Sequence, residues 1–380
     1  MPTEIVILGA GFGGLELATR LSEEVAEQVH VTLVDQSEWF AFGFSKLDVM
    51  FGRATPESVR LYYRDLAKPS VDFRHERVLS IDPVTRTVVT SGGTYSADIL
   101  VVALGADLDP AATPGLVDGG YEFYSPEGAE RVRSVLESFA GGDVVISVLG
   151  GFFKCPPAPN EAALMLDAHL RARGVRDAST IRLLTPLPMP IPVSRETSAQ
   201  IVSALEARGI DFWPQSVVTS LDPEAKVAHV ADGRTVSYDL FLAVPIHRAP
   251  PVVEESGLTV DGWVPVDPAT FETRFPGVFA VGDVTSAPVP RAGVIAEGEA
   301  GTVADVLVAR LRGGGQTPEP YAGDAVCYIE MGDETVARVD VNFLRGPQPT
   351  AEFHAPTREI SEEKRQFGDA RRKRWFGTVR

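Results

Sequence analysis

Three glycines near the N-terminus have the spacing of a loop that holds a pyrophosphate. Gly9, Gly11 and Gly14 follow one apolar run and open an amphipathic segment. In such a loop the first glycine allows a tight turn, the second lets backbone approach a pyrophosphate, and the third lets a helix pack on a strand. Asp35 ends the next apolar run, where its carboxylate can accept hydrogen bonds from a ribose and would repel a 2′-phosphate. These residues predict a dinucleotide site without identifying the dinucleotide.

The chain has only two cysteines, and the first lies in a context suited to redox chemistry. Cys155 follows Lys154 and stands directly before a predicted helix, whereas Cys327 lies far downstream. A helix N-terminus and a neighbouring lysine both stabilise a thiolate, so we expect the pKa of Cys155 to be lowered. Free cysteines are also common as small buried hydrophobes, and for Cys327 this alternative is equally compatible with the sequence.

The elements that position these residues alternate between strands and helices. Apolar periodicity predicts strands at 4–8, 29–34, 71–74, 87–90, 99–103, 144–149, 180–185, 210–213, 277–281, 326–331 and 335–341. It predicts helices at 14–25, 160–173, 195–208 and 293–312, and a hairpin over 222–238 that turns at Asp232 and Gly233. The alternation indicates an α/β fold with two Rossmann-like, three-layer dinucleotide-binding domains.

Composition restricts the class of protein. The chain has 380 residues, 44% of them hydrophobic and 23% charged, which fits two globular domains. Its formal net charge of −17 argues against a nucleic-acid surface, which needs clustered lysine and arginine. The first apolar run lies too close to Met1 for a secretory signal, and no run is long enough for a transmembrane helix. We expect a cytoplasmic protein, with any membrane contact peripheral, and no metal site.

A second motif lies far downstream. The predicted strand at 277–281 runs into Gly282 and Asp283, and the segment Pro290-Arg291-Ala292-Gly293 opens the helix predicted at 293–312. With the first loop, this pattern resembles the pyridine-nucleotide-disulfide oxidoreductase superfamily, in which such an aspartate contacts the ribityl and phosphate region of FAD. The resemblance implies FAD as the cofactor, held by Gly9, Gly11, Gly14, Asp35, Gly105, Gly282, Asp283 and Ala292. Because the second βαβ unit separates the two motifs, the FAD domain is expected to be discontinuous.

The region around Cys155 adds a more specific resemblance. Cys155-Pro156-Pro157 opens a predicted helix, Glu161 follows within that helix, and Val326-Cys327-Tyr328 lies in the C-terminal part. This set resembles sulfide:quinone oxidoreductases and the flavin subunit of flavocytochrome c sulfide dehydrogenase. The resemblance implies that sulfide is oxidised at a Cys155/Cys327 pair, bridged by a disulfide or an extra sulfur, and that electrons pass through FAD to a quinone. It also implies that Cys327 lies over the flavin and that Glu161 is a candidate proton carrier.

Two features depart from related enzymes. The second βαβ unit has Gly150-Gly151-Phe152-Phe153 where NADH-using relatives have a glycine-rich loop, and Phe153, Cys155 and two prolines fill that position. We therefore expect no tight NAD(P)H site, which disfavours the alternative of a type II NADH:quinone oxidoreductase. A third cysteine of some bacterial sulfide:quinone oxidoreductases is absent, which argues against long polysulfide products. A flavin-bound electron-transfer or redox-sensing subunit is the other alternative.

The positions of the motifs also predict the domain limits. Residues 1–112 and 246–318 are predicted to form the FAD domain, and residues 113–245 a degenerate second Rossmann-like domain. Residues 319–380 are predicted to form a C-terminal segment that carries Cys327 and a basic tail.

The basic tail at 364–374, with Phe367, Trp375 and Phe376, has two interpretations. It could lie on an anionic membrane surface, or it could fold back on this acidic protein as a salt-bridged helix. His247 also has two interpretations. It could contact a quinone or lie on a proton pathway, or it could have a structural role beside prolines, which is the commoner case. The sequence leaves the oligomeric state open, with a homodimer among the options.

Overall fold

Two five-stranded parallel sheets carry most of the fold. The computed structural model describes residues 1–314 and 319–377. The strand order of the first sheet is Val278–Ala280, Ile99–Val102, Thr3–Leu8, Val29–Asp35 and Val71–His75. The strand order of the second sheet is Tyr121–Glu122, Leu240–Val244, Gly142–Val148, Ser179–Leu184 and Ile210–Trp213. Every pairing in both sheets is parallel, as predicted for Rossmann-like domains.

Each parallel sheet has helices on one face and a three-stranded antiparallel sheet on the other. Successive side chains of a strand point to opposite faces. In Thr3–Leu8, accordingly, Ile5 and Ile7 pack on the helix side, whereas Val6 and Leu8 pack on the side of the antiparallel strands. The second parallel sheet alternates in the same way, so the predicted three-layer α/β fold is confirmed.

The remaining elements complete these layers and connect them. The antiparallel sheets comprise Val78–Asp82, Thr87–Thr90 and Thr94–Ser96 in the first unit, and Val218–Asp222, Val227–Val230 and Thr235–Ser237 in the second. The last two of these strands form the hairpin predicted around Asp232 and Gly233. The α-helices are Phe12–Val25, Ser45–Met50, Leu116–Gly119, Pro126–Ser138, Ala158–Ala172, Arg195–Glu206, Pro251–Glu255, Gly293–Leu311 and Arg358–Phe376. A short strand pair joins Trp39–Phe40 to Leu61–Tyr62.

The first unit is built from two separate parts of the chain. The chain leaves this unit at Asp107–Asp109 and returns at Ile246–Arg248, and these two crossing segments pair as an antiparallel ribbon. The strand Val278–Ala280 then joins the first sheet beside Ile99–Val102. This arrangement confirms the predicted discontinuous domain, while the limits at 112, 245 and 318 stay predictions.

A C-terminal sheet follows the two parallel units. Its antiparallel strands are Asp324–Glu330, Val336–Asn342 and Thr350–Thr357. The third strand was not predicted, because its apolar residues do not alternate regularly. The helix Arg358–Phe376 follows it directly.

The basic tail is this last helix, and it packs back onto the first unit. Trp375 is fully buried and donates its indole N–H to Glu16 at 2.9 Å, and Arg374 pairs with Glu16 and Glu23. Since Trp375 and Phe376 are buried in the core, the structure favours the folded-back interpretation of the tail, while contact with a membrane stays a prediction. Among the described helices, none is both long enough and apolar enough to cross a membrane.

Candidate active site

The fingerprint glycines lie at the carboxyl edge of the first sheet. A Cβ on Gly9 would lie 2.3 Å from the carbonyl oxygen of Ala103, and a Cβ on Gly14 would lie 1.9 Å from that of Gly9. Both positions therefore need glycine for packing, and Gly9 also has a φ of +97°. A Cβ on Gly11 would meet nothing within 4 Å, because this residue faces open space. The backbone at Gly11 is thus bare, as close approach of a pyrophosphate requires.

Asp35 lies at one end of an elongated cavity. Its Oδ2 accepts a hydrogen bond from the N–H of Ala10 at 2.7 Å, and its Oδ1 accepts one from the N–H of Ser37 at 2.8 Å. Burial raises the pKa of this carboxyl. Each oxygen keeps a lone pair that a ribose hydroxyl can use. The carboxylate is therefore fixed where an adenosine ribose is expected.

Two adjoining cavities form the elongated space. One has a volume of about 1260 Å³ and contains Asp35; the other has about 1050 Å³ and contains Asp283 and Cys155. Both are lined by Gly11 and Gly105, so they meet at the glycine-rich edge. An extended dinucleotide fits this shape, with its pyrophosphate at the glycines and its ring system at the Asp283 end.

The Asp283 end is built by the strand Val278–Ala280 and the helix Gly293–Leu311. Gly282 has a φ of +79°, and its N–H donates to Oε2 of Glu299 at 2.5 Å. Burial raises the pKa of Glu299 to about 8. Asp283 and Ala292 line the same cavity as Gly282, as the sequence predicted for the flavin end. Sequence reasoning missed Glu299, since a single glutamate in an apolar helix carries no recognisable signal.

Arg291 ties this turn to the cysteine loop. Its Nε donates to the carbonyl oxygen of Asp283 at 2.9 Å, and its guanidinium lies 3.7 Å from the ring centroid of Trp263. The N–H of Cys155 donates to the carbonyl oxygen of Arg291 at 2.8 Å. The loop that carries Cys155 is therefore held against the predicted flavin end of the cavity.

Cys155 has a strained backbone and lines the cavity. Its φ is +54°, in the left-handed region that a non-glycine residue adopts only when the surroundings impose it. The predicted lowering of its thiol pKa is wrong: burial raises the pKa well above its usual value, and the charges of Glu161 and Cys327 add to this rise. Lys46 and the helix N–H of Ala158 act in the opposite direction but are outweighed.

Cys327 approaches from the C-terminal sheet. It lies in the strand Asp324–Glu330 opposite Val339, and it packs against the same apolar core cluster as Cys155. Burial and the charges of Glu161 and Asp340 raise its pKa to about 12. Both cysteines are free thiols in this structure. The fold thus packs the two distant cysteines against one core cluster, while a bridge between them stays a prediction.

Glu161 is an acidic residue whose charge raises the pKa of both thiols. It lies in the first turn of the helix Ala158–Ala172, is 3% exposed, and lines the cavity. Its Oε1 accepts a hydrogen bond from the N–H of Glu330 at 3.0 Å. Burial raises the pKa of Glu161 to about 7, which suits a group that takes up and releases protons near neutral pH. Its role stays a prediction.

Two lysines face the same cavity. Nζ of Lys46 donates to the carbonyl oxygen of Tyr124 at 2.5 Å, and Nζ of Lys154 donates to that of Ala106 at 2.9 Å. Burial and the charge of Lys154 lower the pKa of Lys46 to about 8. Lys46, in the short helix Ser45–Met50, was not identified from the sequence, because an isolated lysine is usually exposed.

His247 is buried in the ribbon between the two units. Its Nδ1–H donates to the carbonyl oxygen of Pro245 at 2.9 Å, and its ring packs edge to face against Tyr124. Its Nε2 has no hydrogen-bond partner in the described part of the chain. Burial and the charge of Lys154 lower its pKa to about 3, so the ring is neutral at ordinary pH. These features favour the structural interpretation.

Comparison with known sequences places the chain in a family. The sequence profile described as "Pyridine nucleotide-disulphide oxidoreductase" matches residues 3–301. This chain belongs to that family. Its predicted cofactor, FAD, and its class, an FAD-dependent oxidoreductase, are thereby confirmed.

Individual relatives indicate which members are most similar. The mitochondrial sulfide:quinone oxidoreductase of Mus musculus is 24% identical over 380 residues, covering 94% of this chain and 82% of the relative. The crystal structure of a sulfide:quinone oxidoreductase from Aquifex aeolicus has a TM-score of 0.89 and 23% identity, covering 99% of this chain and 92% of that one. A type II NADH:quinone oxidoreductase of Staphylococcus aureus is 26% identical but covers 60% of each chain. The predicted resemblance to sulfide:quinone oxidoreductases is confirmed.

Proposed function

We propose that this protein oxidises sulfide and passes the electrons through FAD to a quinone. The observation that carries the proposal is that the fold brings Cys155 and Glu161 to one cavity and packs Cys327 against the same core cluster as Cys155. Cys155 and Glu161 line this cavity, and Cys327 interacts electrostatically with both of them. These three residues come from two separate segments of the chain, and the FAD-binding glycines alone would not require them. The sequence similarity to sulfide:quinone oxidoreductases supports the same reaction.

The chemistry needs the oxidised form of the cysteine pair. For a disulfide between the two cysteines, hydrosulfide attacks Sγ of Cys155, the sulfur–sulfur bond breaks, and Cys327 leaves as a thiolate. Cys155 then carries a persulfide, and the electron pair left on Cys327 is the one that must be removed. The FAD that Gly11, Asp35 and Asp283 would hold would supply the two-electron acceptor for this step, with the quinone as the final acceptor. Transfer of the outer sulfur to a second nucleophile leaves Cys155 as a thiolate, and once the electron pair has been removed, Cys155 and Cys327 form their sulfur–sulfur bond again.

Glu161 is suited to balance the protons of this reaction. Attack by hydrosulfide leaves one proton to be removed from the new persulfide, and a carboxylate with a pKa near 7 can accept it. The raised pKa of both thiols means that burial disfavours their charged forms. A neighbouring group that accepts the protons of these thiols would therefore assist the reaction.

A type II NADH:quinone oxidoreductase is the second candidate. The Staphylococcus aureus relative favours it, although the similarity covers only 60% of this chain. NADH-using relatives have a second glycine-rich loop at the position where this chain has Phe153 and Cys155. Phe153 is buried in the core, and Cys155 lines the cavity that contains Asp283. A redox-sensing or electron-transfer subunit is the third candidate, and an acceptor screen distinguishes it from an enzyme that reduces quinones directly.

The test is an anaerobic titration of the FAD-loaded protein with sulfide, followed by a quinone analogue. Sulfide should bleach the flavin absorbance and the quinone should restore it, whereas NADH and NADPH should bleach it slowly. Cys155→Ser and Cys327→Ser should keep FAD and the melting temperature but lose sulfide-driven bleaching. Near wild-type rates in both variants would show that the cysteines are packing residues. Rapid bleaching by micromolar NADH would favour the second candidate.

We also propose that the protein works on the cytoplasmic face of a membrane, because long-tailed quinones are dissolved in the bilayer. Because Trp375 and Phe376 are buried in the core, we expect them to make no contribution to the binding of anionic liposomes. Flotation with anionic liposomes tests this. We propose in addition that the protein forms a homodimer, and light scattering by the purified protein tests this.

A further inference from the structure

The last helix, Arg358–Phe376, lies behind the wall of the cavity that contains Asp283. None of the residues in this range lines the cavity itself. Three aromatic residues that do line it, Phe12, Phe40 and Phe44, contact the helix through their rings. The helix can therefore act on a molecule in the cavity through these side chains without touching that molecule.

Trp375 of this helix packs against the residue at the centre of the glycine-rich loop. Phe12 directly follows Gly11, and its ring lies edge to face against the indole, with 5.5 Å between the ring centroids and 90° between the ring planes. Phe40 makes the same type of contact with both rings, at 5.3 Å from Phe12 and 5.6 Å from Trp375. Edge-to-face pairs are a favoured arrangement of aromatic side chains. Since Trp375 is fully buried, the last helix supports the position of the Phe12 ring.

Trp375 also contacts the helix that the loop opens. Phe12 and Glu16 are four residues apart in the helix Phe12–Val25, so they lie on the same face of it. The indole N–H of Trp375 donates to Oε2 of Glu16 at 2.9 Å, and Nη2 of Arg374 donates to its Oε1 at 2.9 Å. Glu16 is itself buried, and hydrogen bonds to a carboxylate are stronger than those between neutral groups. The last helix therefore holds two successive turns of the helix that follows the glycine-rich loop.

The ring of Phe12 packs in addition against the other helix at the flavin end of the cavity. A Cβ at Gly293, the first residue of Gly293–Leu311, would lie 2.6 Å from this ring, so the ring occupies the space that a side chain at residue 293 would fill. Phe12 and Gly293 both line the cavity together with Gly11. A change in the position of Phe12 would therefore alter the cavity next to the bare backbone at Gly11.

We propose that Trp375 is a positioning residue for FAD, because it holds Phe12 and Glu16 in the arrangement in which the glycine-rich loop binds the dinucleotide. Docking of the last helix and binding of FAD are then coupled. Such a coupling is reciprocal, since the helix raises the affinity for FAD by the same factor by which FAD favours the docked helix. The coupling does not depend on the electron donor, so it can be tested apart from the proposed oxidation of sulfide.

Hydrogen exchange of the wild-type protein measures the effect of FAD on the helix. Amides of the last helix should exchange about tenfold more slowly with FAD in saturating excess than after removal of FAD. The helix Arg195–Glu206 of the second unit is the internal control and should exchange equally in both samples, since none of its residues lines either part of the elongated cavity. Equal exchange of the last helix in both samples would overturn the proposal. Equal slowing of both helices would also overturn it, because FAD would then act only on global unfolding.

The rate of FAD release measures the effect of the helix on FAD, and it needs only the loaded protein. Trp375→Leu should release FAD about tenfold faster after dilution, followed by the fluorescence of the free flavin. Trp375→Phe keeps an aromatic ring against Phe12 and should restore most of the wild-type retention. Phe241→Leu, at a fully buried aromatic residue of the second unit, is the matched control and should lower the melting temperature without faster release.

The variants separate positioning from stability. Equally fast release from Trp375→Leu and Phe241→Leu would overturn the proposal, because any loss of stability would then have the same effect. Wild-type release from Trp375→Leu would overturn it as well. The exchange measurement uses the wild type alone, so it decides the question even where Trp375→Leu does not fold. A protein that shows the coupling but does not oxidise sulfide would support the role of Trp375 and refute only the proposed function.

Discussion

The pH dependence of stability gives a direct test of the electrostatics around Glu161. Burial raises its pKa from 4.5 to about 7, so between these pH values the folded protein holds a proton that the unfolded chain has lost. The contribution of this group to the free energy of unfolding therefore falls as the pH rises from 4.5 to 7, and it is constant above 7. Because a tenfold change in acidity corresponds to about 1.4 kcal/mol, the full loss is about 3 kcal/mol.

Glu161→Gln removes this pH-dependent fall in the free energy of unfolding, because an amide does not ionise. Its oxygen can still accept the hydrogen bond from the N–H of Glu330, which is 3.0 Å long in the wild type. The free energy of unfolding of the variant, relative to the wild type, should therefore rise by about 2 kcal/mol between about pH 5.5 and 8.5. Glu206→Gln, at an exposed position of the second unit, is the matched control and should give a constant difference.

The assay is urea unfolding at a series of pH values with FAD in fixed excess. Every value in this window lies above the sequence pI of 4.8, where loss of net charge would favour aggregation. Contributions from other titrating groups cancel, since they are common to variant and wild type. A difference that stays constant within about 0.5 kcal/mol across the window would refute the reasoning. It would show that Glu161 ionises in the folded protein as it does in water.

Four further predictions follow from the geometry. Gly11→Trp should fill the bare backbone position and abolish the yellow colour, while circular dichroism still shows a folded protein. Gly14→Ala should also lose FAD, since its Cβ would lie 1.9 Å from the carbonyl oxygen of Gly9. Trp375→Ala should cost about 3 to 5 kcal/mol of stability in thermal or urea unfolding, because the indole is fully buried. Glu299 ionises above about pH 8 beside Asp283, so flavin release on ultrafiltration should increase there in the wild type and not in Glu299→Gln.

The dinucleotide site could be predicted because its determinants are local. Glycines at fixed spacing after a strand require one loop shape, and parallel strands end at one edge of a sheet. The chain positions of Gly9 and Gly282 therefore place them at the same edge, although the second unit separates them in sequence. This prediction required one assumption, namely that the strands before Gly9 and Gly282 belong to the same sheet.

The direction of the pKa shift of Cys155 was predicted wrongly, because the helix N-terminus and the neighbouring lysine were considered but the burial of the thiol was not. The helix N-terminus and a lysine do act on the thiol, and both effects are present in the structure. The lysine is Lys46, however, rather than the adjacent Lys154, whose ammonium group bonds the carbonyl oxygen of Ala106. Desolvation outweighs both effects, and the extent of desolvation depends on residues far away in sequence.

The surroundings of Glu161 also include the C-terminal segment, which carries the second cysteine. The strand that carries Cys327 ends at Glu330, whose N–H bonds Glu161 at 3.0 Å. The carboxylate of Glu330 in turn bonds Lys364 of the last helix at 2.6 Å and Arg53 of the first unit. The charge of Lys364 lowers the pKa of Glu161, so the last helix opposes the effect of burial on this carboxyl. The C-terminal segment therefore carries Cys327 and also supplies the charge of Lys364 that acts on Glu161.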